Sequence, residues 1–393
     1  MLARIWRFFV AIFDWRTMAR KITGQPVVDA VFVTNMRDAV DRKRYLGGWH
    51  PSEGHFNGPR YWLNGFIGGR TRALDVVTED LMTSSGRRKA REQFVAATRW
   101  AQKNGAKVIL LAAATKRLFE NSRAAELIKE FPDLVFTIGD NGTMLLLRQE
   151  TLRALEMAGF KPGFCRIAVL GPYGFLGEMM TRALCVVGYD VIGAGPNSGG
   201  LARVAKEFGI TTCKTFSEMG RVDAVVACTH SKHIRLTAEN IKLIRREGKK
   251  LLVIDVAEPS NLRYEEYQKC EGVVIRQDAG NAYAPGLKYV LGAISYRMFR
   301  LTKGVTFGCF AEALSIATAL KRGEDAKVVD WLTVSDRNME LVAEMFARDG
   351  FRIPSPRCFG KSVRSFDLEI KQATISVRSA WRVAWEKLAS FFF

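Results

Sequence analysis

The sequence of 393 residues has no closely spaced pair of cysteines. Its seven cysteines stand singly, and no Cys-x-x-Cys motif occurs. An odd number of isolated cysteines argues against a disulfide framework, and the missing pairs argue against a tetrahedral zinc site. His230 and His233 near Cys228 do not change this, because three ligands in one short loop lack a distant fourth ligand. We expect no bound metal and a reducing, cytoplasmic environment.

Acidic residues are too few to balance the basic ones. The chain has 59 Lys and Arg against 40 Asp and Glu, a net charge of +19. Such an excess indicates a polyanionic partner, which could be nucleic acid, an anionic membrane surface or an acidic protein. No nucleic-acid recognition motif accompanies the charge, so the sequence favours the other two.

Neither end of the chain has an uncharged run long enough to cross a bilayer. In residues 1–24 the longest such run, Phe8 to Phe13, has six residues, whereas a membrane span needs roughly 20. Both terminal segments instead mix Trp and Phe with Arg and Lys, and residues 366–393 place apolar side chains on one helical face at Val377, Trp381, Trp385, Leu388 and Phe392. This pattern suits peripheral contact with a membrane surface, docking on the chain's own domain, or contact between copies in a homo-oligomer.

The middle of the chain predicts an α/β fold. Residues 86–160 read as helix, strand, helix, strand, helix, which is typical of a parallel sheet. Pro162 and Gly163 mark a boundary before the next apolar strand. We predict an N-terminal α/β domain at 25–160 that receives the substrate or its carrier, a Rossmann domain at 161–300, a helical region at 301–365 and a terminal tail at 366–393.

The segment "RIAVLGPYGFLGEMM" predicts a dinucleotide site. A short apolar strand is followed by glycines with G-x-x-G-x-x-G spacing and then by a helical pattern. Glycine lets the backbone turn tightly and approach a diphosphate, whose charge lies at the helix N-terminus. The residues expected to bind the cofactor here are Gly171, Gly174, Phe175, Leu176 and Gly177. The alternative is close packing of helix on strand with no nucleotide.

The cofactor is expected to be NADP(H) rather than NAD(H). The second strand of the unit, "DVIGA", ends without the Asp or Glu that would bind a ribose 2′-hydroxyl. Asn197 and Ser198 follow it, and a site without a carboxylate leaves room for a 2′-phosphate. Asp255, at the end of the strand "KLLVIDVA", is a further expected cofactor residue. The fold class is a doubly wound α/β fold with an additional N-terminal domain.

The stretch "FGCFAEAL" places Cys309 where a helix should begin. Gly304, Thr306 and Gly308 are turn and cap residues just before it. The first turn of a helix can lower the pKa of a thiol and make it a nucleophile, with Glu312 as polar support three residues later. A buried cysteine that packs as a small apolar side chain is the alternative.

Four stretches in this order resemble the long-chain acyl-[acyl-carrier-protein] reductase family: "GRRKAREQFVAATRWAQKNG", "FENSRAAELIKEFPDLVFTIGDNGT", "VLGPYGFLGE" and "FGCFAEALSIA". The resemblance covers about residues 75–353. It implies that NADPH reduces a fatty acyl thioester to an aldehyde and that Cys309 carries the acyl group. It also implies an acyl carrier protein or acyl-coenzyme A as partner, and the basic run Arg87, Arg88, Lys89 and Arg91 would suit an acidic carrier.

The chain departs from the family pattern at polar positions. A histidine of the family is missing between Gly139 and Thr143, and Val256 and Ala257 replace two glycines after Asp255. The sequence therefore leaves the proton donor open. Two other functions stay open as well: an NAD(P)-dependent dehydrogenase of shikimate-dehydrogenase-like build without a covalent step, and a non-catalytic nucleotide-binding protein at a membrane surface.

Overall fold

Two six-stranded sheets form the framework of the computed structural model, which describes residues 12–119, 122–292 and 301–370 together with Ile5, Phe8 and Phe9. The strands are β1 (Ala30–Met36), β2 (His55–Leu63), β3 (Ile67–Val77), β4 (Val108–Leu111), β5 (Val135–Thr137), β6 (Arg166–Leu170), β7 (Asp190–Ala194), β8 (Thr211–Cys213), β9 (Ala224–Ala227), β10 (Leu251–Asp255), β11 (Val274–Asp278), β12 (Asn281–Tyr283), β13 (Leu287–Tyr289), β14 (Val305–Phe307), β15 (Arg357–Cys358) and β16 (Lys361–Ser362).

The α-helices surround these sheets. They are α1 (Trp15–Ile22), α2 (Ala39–Leu46), α3 (Ser84–Lys103), α4 (Ser122–Glu130), α5 (Asp140–Met157), α6 (Phe175–Val187), α7 (Ser198–Phe208), α8 (Phe216–Met219), α9 (Ala238–Ile244), α10 (Tyr264–Cys270), α11 (Gly308–Lys321) and α12 (Asp336–Asp349). The predicted alternation of helices and strands between residues 86 and 160 is present as α3, β4, α4, β5 and α5.

The first sheet has the strand order β13-β2-β3-β1-β4-β5. Strands β3, β1, β4 and β5 are parallel to one another, whereas β2 is antiparallel to both of its neighbours, β3 and β13. Side chains alternate between its faces: Val31 and Val33 pack under α3 and α4, and Phe32 packs under α11 and α12. Both faces are therefore covered, and the helix that carries the cysteine motif shares the core of the first domain.

The second sheet is parallel throughout, with the order β11-β10-β9-β6-β7-β8. The chain proceeds outward from β6 through β7 to β8, then crosses over and proceeds through β9 and β10 to β11. This is the strand order of the doubly wound dinucleotide-binding fold of NAD(P)-dependent oxidoreductases. The prediction of an α/β fold with a Rossmann-type domain is confirmed. In such sheets a ligand lies outside the carboxyl ends of the strands, where the winding direction reverses.

Helix α5 connects the two units. Its Leu146 belongs to the core of the first sheet, while Met144 and Leu147 pack with Ile167 of the second sheet. The helix begins at Asp140, where Gly139 is the cap residue and its carbonyl accepts the backbone N–H of Thr143. Near the C-terminal end, the β15–β16 hairpin returns the chain to the second sheet, where Phe359 lies against Arg276. The predicted helical face at 377–392 lies outside the described residues.

Candidate active site

A cleft of about 1550 Å³ lies between the carboxyl edges of the two sheets. The first domain contributes the segments that follow β1, β4 and β5, and the second contributes those that follow β6, β9 and β10. Among the residues that line the cleft are Asn35, Met36, Arg37, Lys116, Asp140, Gly171, Tyr173, Gly174, Phe175, Leu176, Thr229, His230, Asp255, Glu258, Gly280, Phe307 and Cys309. The glycine loop and the cysteine motif, about 135 residues apart in the chain, therefore meet at one site.

The three glycines of the loop have different functions. Gly171 has a positive φ of 77°, and a Cβ there would lie 2.7 Å from the Cβ of Thr229. At Gly177 a Cβ would overlap the carbonyl oxygen of Gly171, so this glycine lets α6 pack closely on β6. A Cβ at Gly174 would meet only the Gly171 oxygen, at 3.6 Å. Packing requires the first and third glycines, and the second leaves open space in the cleft.

The N-terminus of α6 is available to an anion. Its cap residue is Gly174, and no side chain within the described part of the chain caps the first turn. Phe175 and Leu176, the first two residues of the helix, line the cleft. The free N–H groups and the positive end of the helix dipole favour a negatively charged group at this point. With the open space beside Gly174, the loop fits the diphosphate of a dinucleotide.

The end of β7 contains a contact that the sequence did not indicate. Tyr173 lies against the backbone there: a Cβ at Gly195 would be 2.6 Å from its hydroxyl oxygen, and a Cβ at Gly200 would be 2.7 Å from its ring. The hydroxyl accepts a hydrogen bond from the backbone N–H of Asn197. Asn197 and Ser198, two of the expected cofactor residues, do not line the cleft, whereas Tyr173 does.

Arg203 is a cation of the second domain that follows this end of β7. It lines the cleft and forms ion pairs with Glu178 and Glu207. As the sequence indicated, no carboxylate follows β7 at the position that would accept a ribose 2′-hydroxyl. Glu178 also lines the cleft, so this end offers a guanidinium that is already paired with a carboxylate.

Asp255 has a supporting function that differs from the expected contact with the cofactor. Its buried carboxylate forms an ion pair with Arg276 and accepts the backbone N–H groups of Asn261 and Leu262. Burial raises its pKa, against the effect of Arg276. Because protein donors already occupy both oxygens, Asp255 fixes the 256–262 loop that forms part of the cleft wall.

Cys309 lies in the first turn of α11, as the sequence predicted. Phe307 is the cap residue, and Cys309 is partly exposed at the cleft. The next residue, Phe310, is buried and stacks on Phe32 with ring centroids 4.3 Å apart. This stacking fixes the start of the helix on the first sheet and so fixes the position of the thiol.

The predicted activation of the thiol by the helix N-terminus is wrong for the protein without ligand. Burial raises the pKa of Cys309 to about 12, and the negative charges of Asp140 and Glu312 act in the same direction. Lys116 and the backbone N–H of Phe310 act in the opposite direction and are outweighed. The position in a first helical turn therefore does not by itself set the pKa of this thiol.

Lys116 and Asp140 form an ion pair beside the thiol. The Lys116 ammonium donates to both carboxylate oxygens of Asp140, at 2.9 and 2.7 Å. Asp140 is buried, and both residues line the cleft. The sequence analysis did not select this pair, although a signal was present: the two residues come soon after β4 and β5. The carboxyl ends of parallel strands meet at the ligand-binding edge.

Glu312 is a positioning residue and does not line the cleft. It is fully buried, and it accepts hydrogen bonds from the Thr137 hydroxyl and from the backbone N–H of Gly142, the latter at 2.6 Å. Burial raises its pKa to about 7. The polar support expected of Glu312 acts on this turn: its carboxylate holds the turn between β5 and α5 against α11.

His230 lies on the second-domain wall of the cleft. Burial lowers its pKa, and so do Arg117, Arg235 and Lys116, which keeps the imidazole neutral. It thus forms part of a polar rim. Within residues 12–119, 122–292 and 301–370, no group of three or more His, Cys, Asp or Glu side chains could hold a metal ion. The seven cysteines are all free.

The basic run on α3 lies near the cleft edge of the first sheet, because β3 ends there and Thr78 lines the cleft. Arg88 and Lys89 are exposed, whereas Arg87 donates to the backbone carbonyls of Leu81 and Met82. Partial burial lowers the pKa of Arg91, as do neighbouring cations, first among them Arg123. Among the described residues, none of these cations has a carboxylate partner in an ion pair.

No protein-family model matches the sequence, and no curated protein is similar to it. Solved structures with a similar fold include a dipicolinate synthase from Bacillus halodurans, 14% identical, with a TM-score of 0.30 over 62% of this chain and 86% of that one. L-tryptophan dehydrogenase from Nostoc punctiforme is 12% identical, with a TM-score of 0.37 over 82% and 89% of the two chains. At such low values the likeness carries no argument about the substrate, and the strand order remains the basis for the fold.

Within the described part of the chain, no helix has the length and hydropathy that crossing a membrane requires.

Proposed function

We propose that the protein reduces a fatty acyl thioester to an aldehyde, with NADPH as the reductant and Cys309 as the acyl-accepting nucleophile. One observation carries the proposal: the open, uncapped glycine loop and the cysteine at a helix N-terminus are on opposite walls of one cleft. A thioester reduction that proceeds through an acyl-enzyme needs a hydride donor and a thiol at the same carbonyl carbon. The four sequence stretches similar to acyl-[acyl-carrier-protein] reductases support the same function.

The cofactor would be held by the loop from Gly171 to Gly177, with its diphosphate at the N-terminus of α6. Arg203 is the group proposed to favour NADPH, since it lies at the cleft where a 2′-phosphate would need a cation. When bound, the nicotinamide supplies a hydride to the carbonyl carbon of the acyl group. The remaining chemistry belongs to residues of the first domain.

Acylation requires a thiolate, and the high pKa of Cys309 means that its proton must be removed as the substrate binds. We propose Asp140 as the acceptor of this proton, because it is buried at the cleft and its charge acts on the thiol. The thiolate then attacks the thioester carbonyl, the bond from carbonyl carbon to carrier sulfur breaks, and the carrier thiolate leaves and takes up a proton. The acyl group is now bonded to Cys309.

In the second half-reaction, negative charge develops on the carbonyl oxygen of the acyl group. The Lys116 ammonium and the N–H groups at the start of α11 are the donors available to that oxygen. When the bond between carbon and the Cys309 sulfur breaks, the aldehyde forms and sulfur leaves as a thiolate. The proton held by Asp140 returns to it. The net reaction converts acyl thioester, NADPH and one proton into aldehyde, carrier thiol and NADP⁺.

The first-domain side of the cleft suits an apolar acyl chain. Several apolar side chains line it: Met36, Tyr45, Phe56, Phe119 and, two residues before Cys309, Phe307. The cations near its edge, Arg88 and Lys89 among them, suit an acidic carrier protein. These contacts support a thioester of a fatty acid as the substrate class.

A non-covalent dehydrogenase is the second candidate, and the high pKa of the Cys309 thiol favours it. In that case the cleft would bind a small oxidisable substrate, and Cys309 would only pack against the turn at Gly139. The two candidates differ in their products. Acyl carrier thioester with NADPH should yield aldehyde, free carrier thiol and oxidised cofactor in equal amounts, as measured by gas chromatography, thiol titration and absorbance. Cofactor binding without release of carrier thiol would refute the proposed function.

A further inference from the structure

Helix α1 is attached to the first domain through its polar side chains. Asp14, its cap residue, is buried and accepts hydrogen bonds from Arg60 at 2.7 Å and from the Trp62 indole at 3.0 Å. These partners lie on β2, so the start of the helix is fixed to the sheet. Surface helices ordinarily bury their apolar face and expose the polar one.

A second polar anchor fixes the end of the helix. Arg20 is buried and donates to the Asp29 carboxylate at 2.7 Å, to the carbonyl of Pro26 at 3.0 Å and to the carbonyl of Phe66. Its guanidinium also lies over the Trp62 ring, 4.8 Å from the centroid. With both ends held by charged side chains, the helix cannot rotate its apolar face inward without breaking two buried ion pairs.

The apolar face of α1 therefore points to solvent. Trp15, Met18 and Ile22 are 64%, 51% and 83% exposed. The exposed apolar surface continues along the chain before α1 and onto the neighbouring β2–β3 turn, at Phe8, Phe9, Ile12, Phe13 and Phe66. We call these eight residues the apolar ridge. A contiguous exposed surface of this kind marks an interaction site.

The charge of the segment identifies the partner. Residues 1–23 contain five Lys and Arg and one carboxylate, Asp14, which is buried against Arg60. Lys321 lies 5.9 Å from the Phe66 ring, so a further cation borders the ridge. We propose that the apolar ridge docks this protein on the surface of an anionic lipid bilayer, with Trp and Phe at the interface and the cations at the lipid phosphates.

A second copy of the chain fits this surface less well. Symmetric pairing of two ridges would bring the basic segments of both copies together, in a protein whose net charge is already +19. An anionic bilayer satisfies the apolar and the basic side chains at once. The ridge lies toward the other end of the sheet from most of the cleft, since Phe66 precedes β3 and the β3 residues that line the cleft, Thr71 and Ala73, come later in the strand. A docked molecule would keep its cleft open to a soluble substrate.

Vesicle sedimentation tests the proposal on the full chain. Wild-type protein should co-sediment with vesicles of phosphatidylcholine containing phosphatidylglycerol, and at least tenfold less with phosphatidylcholine alone. The variant Trp15→Ser/Met18→Ser/Ile22→Ser should lose binding at least tenfold. A control variant, Phe164→Ser/Val186→Ser/Val328→Ser, removes exposed apolar side chains elsewhere and should bind as the wild type does.

Because the three ridge residues are exposed, the variant should keep the circular dichroism spectrum and melting temperature of the wild type. Sedimentation velocity measures whether the wild type and the ridge variant are monomers or dimers. Failure of the wild type to bind anionic vesicles, or equal loss in both triple variants, would overturn the proposal. So would a dimer that only the ridge variant disrupts. NADPH oxidation with soluble substrate should be unchanged in the ridge variant, so this test is independent of the proposed activity.

Discussion

Gly139 packs directly against Cys309. A Cβ atom at residue 139 would overlap the Cβ of the cysteine, and the backbone of Gly139 has a positive φ of 70°. One residue belongs to the turn between β5 and α5 and the other to the start of α11. The thiol is thus held by a contact that tolerates no side chain, while Glu312 hydrogen-bonds to the next part of the same turn.

The variant Gly139→Ala should displace Cys309 and abolish acylation. A positive φ costs a non-glycine residue about 1 to 3 kcal/mol, and the overlap adds about 1 to 3 kcal/mol to the loss of unfolding free energy. Gly159→Ala is the matched control, because Gly159 has a φ of 74° and no atom near its Cβ position. Chemical denaturation and acylation rates compare the two variants. Equal stability and full activity in Gly139→Ala would show that this contact does not constrain the thiol.

The pKa of Cys309 predicts how the alkylation rate of the thiol depends on pH. A pKa of about 12, above its ordinary value, leaves only a small fraction of thiolate at neutral pH. The rate constant for alkylation of Cys309 by iodoacetamide in the free protein should therefore rise about tenfold per pH unit between roughly pH 7 and 9, with no plateau. Peptide mapping distinguishes this cysteine from the other six. A plateau near pH 7 would mean that the thiol is already activated.

Substitutions of Lys116 and Asp140, the ion pair beside the thiol, should change the alkylation rate of Cys309 in opposite directions. Lys116→Met removes the cation that lowers the pKa of Cys309, and alkylation at pH 8 should slow roughly 3- to 10-fold. Asp140→Asn removes a charge that raises this pKa and should accelerate alkylation by a similar factor. Lys103→Met, on the exposed end of α3, should change nothing. Changes in the same direction in both variants of the pair would contradict the electrostatic explanation.

Gly174 is the position at which a side chain should block the cofactor without harming the fold. The variant Gly174→Asp places a carboxylate in the open space of the glycine loop, and NADPH affinity should fall roughly 100-fold or more by repulsion of the diphosphate. Gly272→Asp is the control, since its Cβ position is also open and lies away from the cleft.

Calorimetry should show that the wild type binds NADPH more tightly than NADH. Equal affinity for the two cofactors would contradict the assignment of NADPH.

The exposed cations of α3 should lower the KM for a carrier-bound substrate and leave the KM for a free thioester unchanged. The variant Arg88→Glu/Lys89→Glu should raise KM for acyl carrier thioester roughly tenfold at low salt and much less at high salt, because the attraction is screened. Free acyl-coenzyme A should react as before. Lys214→Glu/Lys242→Glu reverses two exposed charges on the second domain and should leave both substrates unaffected. An equal rise in KM for both substrates would assign the run a structural function.

Strong periodic patterns let the sequence predict the framework. The strand before Gly171 and the helix that begins after Gly174 are local features, and both are present as β6 and α6. The position of Cys309 in a first helical turn is also a local property, set by the residues on either side. The doubly wound order of the second sheet follows from alternating strands and helices.

Properties that depend on distant contacts could not be obtained in this way. The raised pKa of Cys309 arises from burial and from Asp140, 169 positions earlier in the chain, which no local pattern reveals. The contacts of Glu312 are equally hidden from local patterns, because its partners are on β5 and α5. So are the contacts of Tyr173, which fills the space above Gly195 and Gly200. The orientation of α1 was also hidden, because it depends on Asp14 and Arg20 finding partners in the sheet.

Intact-mass analysis with acyl carrier thioester and no cofactor tests the covalent function of Cys309 most directly. The wild type should gain one acyl group, mapped to the peptide containing "FGCFAEAL", and added NADPH should discharge it as aldehyde. Cys309→Ser should fold, bind NADPH and form no adduct, with aldehyde formation reduced at least roughly 100-fold, because a serine hydroxyl loses its proton much less readily than a thiol and is a far weaker nucleophile. A fully active serine variant, or an adduct on Cys228 or Cys270, would show that Cys309 only packs at the wall of the cleft.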